Sequence, residues 1–229
     1  SNQISPTSAE HVARSLGGRL GLIVDGGDAN VGLESTVVDL AHEVPRILRP
    51  GMIALPELER AAGVVFATAP GPLAEGGILR SPGMLAKHYA PRARLLVLDW
   101  SDEADLRRQL GAFSMNPDRL WILAHSRVPL SGDYPHVCVI PDDPEAYARA
   151  LYGELHRCDA ADAEWIVVEK PPEGPAWVAV VDRLRRASAT SLFRRSLSGP
   201  ALPGGMRPSL HPRAGVEHDA LPHRRLGLQ

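Results

Sequence analysis

The chain has 229 residues, 44% hydrophobic and 23% charged, a composition that fits a soluble globular protein of one large or two small domains. Its net charge of −2 excludes a globally basic nucleic-acid binder, and no run approaches the 18 apolar residues of a membrane span. The charge is uneven: from Ser188 onward six Arg face Glu217 and Asp219, giving +4 and leaving −6 for the rest.

Taken in order, Ser5-Pro6-Thr7 opens a helix, with Thr7 and Glu10 spaced as a capping box. Ala9, Val12, Ala13 and Leu16 form its buried face by helical spacing, and Gly17-Gly18 ends it, since glycine reaches the left-handed conformation cheaply. The hydroxyl of Ser5 reads either as a cap or as a ligand contact at a helix N-terminus. Leu20–Val24 is a short apolar run and reads as a buried strand. Glu34-Ser35-Thr36 then runs into the strand Val37–Leu40, where hydroxyls either bind a ligand or satisfy backbone donors. Pro45–Gly51 is a second strand ending in a turn. Arg49 beside that turn is either one arm of a surface ion pair or a fork for phosphate. A short helix from Leu55 to Ala62 closes on Gly63. Ala67–Leu79, rich in Pro and Gly, reads as loop.

Ser81–Pro91 is bracketed by prolines, which fix φ and push the preceding residue toward extended geometry. It is therefore a semi-rigid connector, and it carries Lys87, His88 and Tyr89. Beyond it the pattern changes. Strands are predicted at Arg94–Leu98, Leu120–Ala124, Val137–Ile140 and Trp165–Val168. Helices are predicted at Ser101–Phe113, Pro144–Cys158 and Gly174–Ala187. This alternation argues a parallel sheet covered by helices, without a Gly-x-Gly-x-x-Gly fingerprint after its first strand. Cys138 and Cys158 form no Cys-x-x-Cys pair and read as reduced core thiols of a cytosolic protein. From Ala189 the periodicity stops and large apolar residues are sparse, so 189–229 reads as disordered.

Three stretches carry a likeness. Ser81-Pro82-Gly83-Met84 with His88-Tyr89-Ala90-Pro91 resembles the interdomain linker of the long-form YrdC-type L-threonylcarbamoyladenylate synthases. Ile4–Val12, and Glu34–Asp39 followed by Leu48-Arg49-Pro50-Gly51, resemble the same family in order and spacing. The likeness spans roughly residues 1 to 187. The family's opening Lys/Arg stretch and Pro-Ser-x-Asn signature would precede residue 1, so the chain reads as an N-terminally truncated member with little or no activity alone.

The resemblance implies an α/β fold: the C-terminal half of a YrdC-like twisted α/β domain at 1–66, a loop and extended linker at 67–92, a small Rossmann-like parallel-sheet domain at 93–188, and a tail at 189–229. It implies a cytoplasmic nucleotidyltransferase. That enzyme condenses L-threonine, bicarbonate and ATP into threonylcarbamoyl-AMP and pyrophosphate, for a tRNA-modifying transferase complex acting next to the anticodon. By motif, Ser35 would contact threonine, while Ser5, Arg49 and Tyr89 would contact ATP. Lys87 and His88 would support the linker as it folds over the site. Mg2+ is expected with the phosphates, although no carboxylate stands out as its ligand. The competing expectation is a non-catalytic nucleotide- or RNA-binding module, or a relic.

Overall fold

The computed structural model describes residues 3–68 and 88–188. Lys87, the loop expected after Thr68 and the tail expected from Ala189 lie outside the described residues.

The second half is built on a four-stranded sheet of β4 (Arg94–Leu98), β5 (Leu120–Ala124), β6 (His136–Val139) and β7 (Trp165–Glu169), in the order β4-β7-β5-β6. All its pairings are parallel, with Leu96 and Ile122 both opposite Val167. Its strands read as continuous apolar runs because both faces are covered. Leu95, Val97, Leu123, Ile166 and Val168 face α4 (Pro144–Ala160) and α5 (Val178–Ala187). Leu96, Leu98, Ile122, Trp165 and Val167 pack with Leu106 and Leu110 of α3 (Glu103–Leu110). The expected α/β class and parallel sheet are thus present, and β6 begins one residue early. The helix expected from Ser101 starts later because Asp102 is its N-cap, accepting from the Asp105 amide, which fills an otherwise orphaned donor. Cys138 and Cys158 are buried and unbonded to each other.

The first half holds β1 (Val37–Asp39) and β2 (Arg46–Arg49), antiparallel with Val38 opposite Ile47, and β3 (Ala67–Thr68), parallel to β2. The sequence placed β3 in a loop, since two residues leave no period to read. α2 (Leu55–Ala62) closes on Gly63 at φ 67°, a left-handed cap suited to glycine.

Two local expectations are corrected. α1 (Ala9–Leu16) is capped by Ser8, whose Oγ accepts from the His11 amide, rather than by Thr7. The Thr7 amide donates instead to His11 Nδ1 at 3.2 Å. The helix leaves through Gly17 at φ −52°, not through a left-handed turn, and none of its apolar stripe is buried. Leu20–Val24 is not a strand, and Leu22 and Val24 are 80% and 81% exposed. An apolar run becomes a buried strand only beside a ladder partner, and no described strand pairs with it.

The two halves share one core. Ile4, Leu33 and Tyr89 sit in the same buried cluster as Tyr147, Leu151, Tyr152 and Leu155 of α4 and Leu184 of α5. Gly32 permits this approach: it lies at φ 79°, and a Cβ there would stand 2.5 Å from the Arg149 Cα. No helix among the described residues is long and apolar enough to cross a membrane.

Candidate functional site

The end of β2 meets the loop entering β1 at Arg49. The antiparallel ladder brings them together by setting Val37 opposite Arg49. Arg49 Nε donates to the Ser35 carbonyl at 3.1 Å, and Nη2 reaches Ser35 Oγ at 3.4 Å. Nη1 donates to the Tyr89 hydroxyl at 3.4 Å. Arg49 is 8% exposed, while Ser35 faces solvent. A buried guanidinium thus stands directly behind an accessible hydroxyl. Its two 3.4 Å bonds are at the long limit for N–H···O, and they can give way to shorter charge-assisted bonds donated to an anionic ligand. Gly51 allows the close packing behind this corner, because a Cβ there would meet the Thr36 nitrogen at 2.2 Å.

Tyr89 is 3% exposed and sits at φ 60°. A non-glycine residue in the left-handed region is uncommon and needs support from its surroundings. Here the support is specific. Arg49 bonds its hydroxyl, the Arg183 guanidinium carbon lies 5.4 Å from its ring centroid, and the His88 ring meets it edge-on at 4.0 Å. The His88 amide donates to the Arg186 carbonyl at 3.2 Å, fastening this end of the connector to α5. His88 Nδ1 is buried with no partner among the described residues, and burial pulls the imidazole pKa below its ordinary value.

Of the residues singled out by motif, the structure therefore brings Ser35 and Tyr89 each into contact with Arg49, with His88 against Tyr89. Ser5 is one step removed. Its hydroxyl donates to the Glu34 carboxylate, and its carbonyl contacts His156 Nε2 at 3.1 Å. Glu34 also accepts from the Tyr152 hydroxyl at 3.2 Å and from Arg183 Nε at 2.7 Å. Burial alone would raise the Glu34 pKa, but the bonds from Ser5 and Arg183 outweigh it and hold the group below its usual range.

Sequence reasoning missed Glu34, Tyr152 and Arg183 as parts of this arrangement. Arg183 did leave a signal. It falls on the stripe of α5 that buries Val180, Leu184 and Ala187, where an unpaired charge would be costly. The described residues do not fit a resident Mg2+ site. Glu34 is the carboxylate at the corner, and its oxygens are already engaged by two hydroxyls and a guanidinium.

Residues 53–189 match a family model described as threonylcarbamoyl-AMP synthase, C-terminal domain, and residues 1–51 match one described as telomere recombination. A threonylcarbamoyl-AMP synthase of Bacillus subtilis is 33% identical over 196 residues, covering 85% of this chain and 56% of that protein. One from Pyrococcus abyssi is 31% identical over 197 residues, covering 85% and 57%. The crystal structure of P. abyssi Sua5 complexed with L-threonine matches with a TM-score of 0.69 at 32% identity, over 82% of this chain and 55% of that one. The chain spans a little over half the length of these relatives.

Proposed function

The chain belongs to the threonylcarbamoyl-AMP synthase family, and from that premise we propose that the corner of Ser35, Arg49 and Tyr89 is its ligand site. The reaction is the condensation of L-threonine, bicarbonate and ATP to threonylcarbamoyl-AMP with release of pyrophosphate, in the service of tRNA modification. The observation that carries this reading is the buried Arg49 fork, which joins an exposed serine to a tyrosine held in a left-handed conformation. A relative of matching fold was solved with L-threonine.

In this reading the Ser35 hydroxyl orients threonine at the solvent-facing edge. Arg49 turns its long bonds toward phosphate oxygens and stabilises charge there, which is most of what nucleotidyl transfer asks of a protein. Tyr89 covers the nucleotide from the connector, with His88 bracing its ring. Ser5 joins the ATP contact by exchanging its bond to Glu34. Any Mg2+ would accompany the ATP phosphates, where it would offset their charge; Glu34, already engaged by Ser5, Tyr152 and Arg183, would not hold it.

Isothermal titration with ATP and L-threonine tests this. A charged hydrogen bond is worth about 1.5–3 kcal/mol, so Arg49→Ala weakens ATP binding by roughly tenfold to a hundredfold. Absence of saturable heat for either ligand contradicts the proposal and favours a non-catalytic module.

A further inference from the structure

We propose that Arg183 and Glu34 are positioning residues, a latch through which α5 sets the geometry of the Ser35–Arg49–Tyr89 corner. The inference rests on that corner being the ligand site. Arg183 is fully buried, with 0% exposure, and one guanidinium ties two stretches far apart in sequence to its own helix. Its Nε bonds the Glu34 carboxylate at 2.7 Å, its Nη2 donates to the Glu34 carbonyl at 3.3 Å, and its carbon lies 5.4 Å from the Tyr89 ring centroid. Nη1 is anchored at home by Asp182 at 2.8 Å.

The backbone geometry gives this arrangement its consequence. The carbonyls of Glu34 and Ser35 are successive acceptors on one loop. Arg183 holds the first and Arg49 holds the second. Tyr89 closes the circuit, with Arg49 at its hydroxyl and Arg183 against its ring. The carboxylate of Glu34 extends the same grip to Ser5 and to Tyr152 of α4. A shift of α5 is therefore felt together by the serine loop, the connector and the N-terminal segment.

Packing alone does not call for this charge. A buried ion pair is often no more stabilising than an apolar pair of similar volume, although removing one partner is damaging. The position on α5 lies between Val180, Leu184 and Ala187 and would accept a methionine. What methionine lacks is the directional hold on the Glu34 carbonyl.

The test uses Arg183→Met, Glu34→Gln and the double variant. The double variant removes both charges, so it stays foldable if a single variant does not. ATP and L-threonine affinities are measured by titration, and hydrogen exchange is followed at residues 34–36 and 88–91. For a positioning latch, the double variant recovers most of the thermal stability lost by Arg183→Met. Its ligand affinities nevertheless stay about tenfold or more below the parent chain, as expected for coupled sites, and exchange at both segments stays raised. If the double variant recovers stability and affinity together, with exchange back to the parent level, Arg183 is only a structural partner and the proposal is overturned. If the parent chain binds neither ligand, the ligand-site reading fails on its own. Exchange then still decides the latch: raised protection loss at both segments upholds it, and an unchanged pattern overturns it.

Discussion

Replacing Gly51 by alanine attacks the corner from behind without removing any functional group. The new Cβ would lie 2.2 Å from the Thr36 nitrogen, 2.6 Å from the Ser35 carbonyl carbon and 2.7 Å from Thr36 Oγ1. Two of those neighbours are backbone, so no side-chain rotation relieves the clash. Bringing the closest contact to ordinary van der Waals distance opens the β1 and β2 ends by about 1 Å. The Arg49 bonds to Ser35 stand at 3.1 and 3.4 Å, and an opening of that size carries them past the hydrogen-bond limit. Losing two such bonds costs about 1 kcal/mol each, and overpacking adds about 1–3 kcal/mol. For a chain of this size that total corresponds to a fall in Tm of roughly 6–20 °C, read by calorimetry. Gly63→Ala is the control. It carries positive φ but has open space around its Cβ position, so strain alone applies, at about 1 kcal/mol. A Gly51→Ala variant no less stable than Gly63→Ala would refute the packing argument.

Two further predictions concern titration and a buried carboxylate. His11 and His156 stack at 3.7 Å, and burial lowers the pKa of both from 6.5. Glu10 and Asp28 oppose that shift at His11; the Ser5 carbonyl and Asp159 oppose it at His156; Arg14 reinforces it at both. The unfolded chain thus takes protons first, so their effect on stability is absent above pH 6.5 and destabilising as pH falls below it. Thermal melts between pH 7.5 and 5.5 check this: Tm falls in that window, and His11→Phe with His156→Phe flattens the fall. An unchanged profile contradicts the assignment. Glu169 is fully buried and accepts from the amides of His125, Ser126 and Arg127 and from the Ser126 hydroxyl. Glu169→Gln turns a donor toward those donors, at a cost of about 2–4 kcal/mol in urea unfolding; a change below about 0.5 kcal/mol would show that the carboxylate is dispensable.

Residues whose environment is set by their neighbours in sequence were readable. Leu95–Leu98 and Ile166–Val168 announce strands covered on both faces by their unbroken apolar character, and Gly63 marks the end of α2 by its freedom at positive φ. Residues whose environment comes from elsewhere were not. Leu22 and Val24 have the composition of a strand but no described ladder partner. Ser8 took the cap from Thr7 because His11 offered Thr7 another bond, which spacing does not encode. Ser35, Arg49 and Tyr89 could be singled out from motifs alone, and they do meet in one corner. The link between Glu34 and Arg183 joins residues 149 positions apart and depends on how α5 docks. That contact also explains why the Ser5 hydroxyl points to a carboxylate instead of standing open beside Arg49.

The four tyrosines, Tyr89, Tyr134, Tyr147 and Tyr152, offer the most direct test of the central claim that Arg49 and Tyr89 hold the nucleotide. With 13C-labelled tyrosine, ATP is titrated into the chain and the ring signals are followed by NMR. The account predicts a saturable shift of the Tyr89 resonance, a smaller one at Tyr152 through Glu34, and still signals for Tyr134 and Tyr147. A titration that leaves Tyr89 unmoved, or moves Tyr134 or Tyr147 instead, would contradict it.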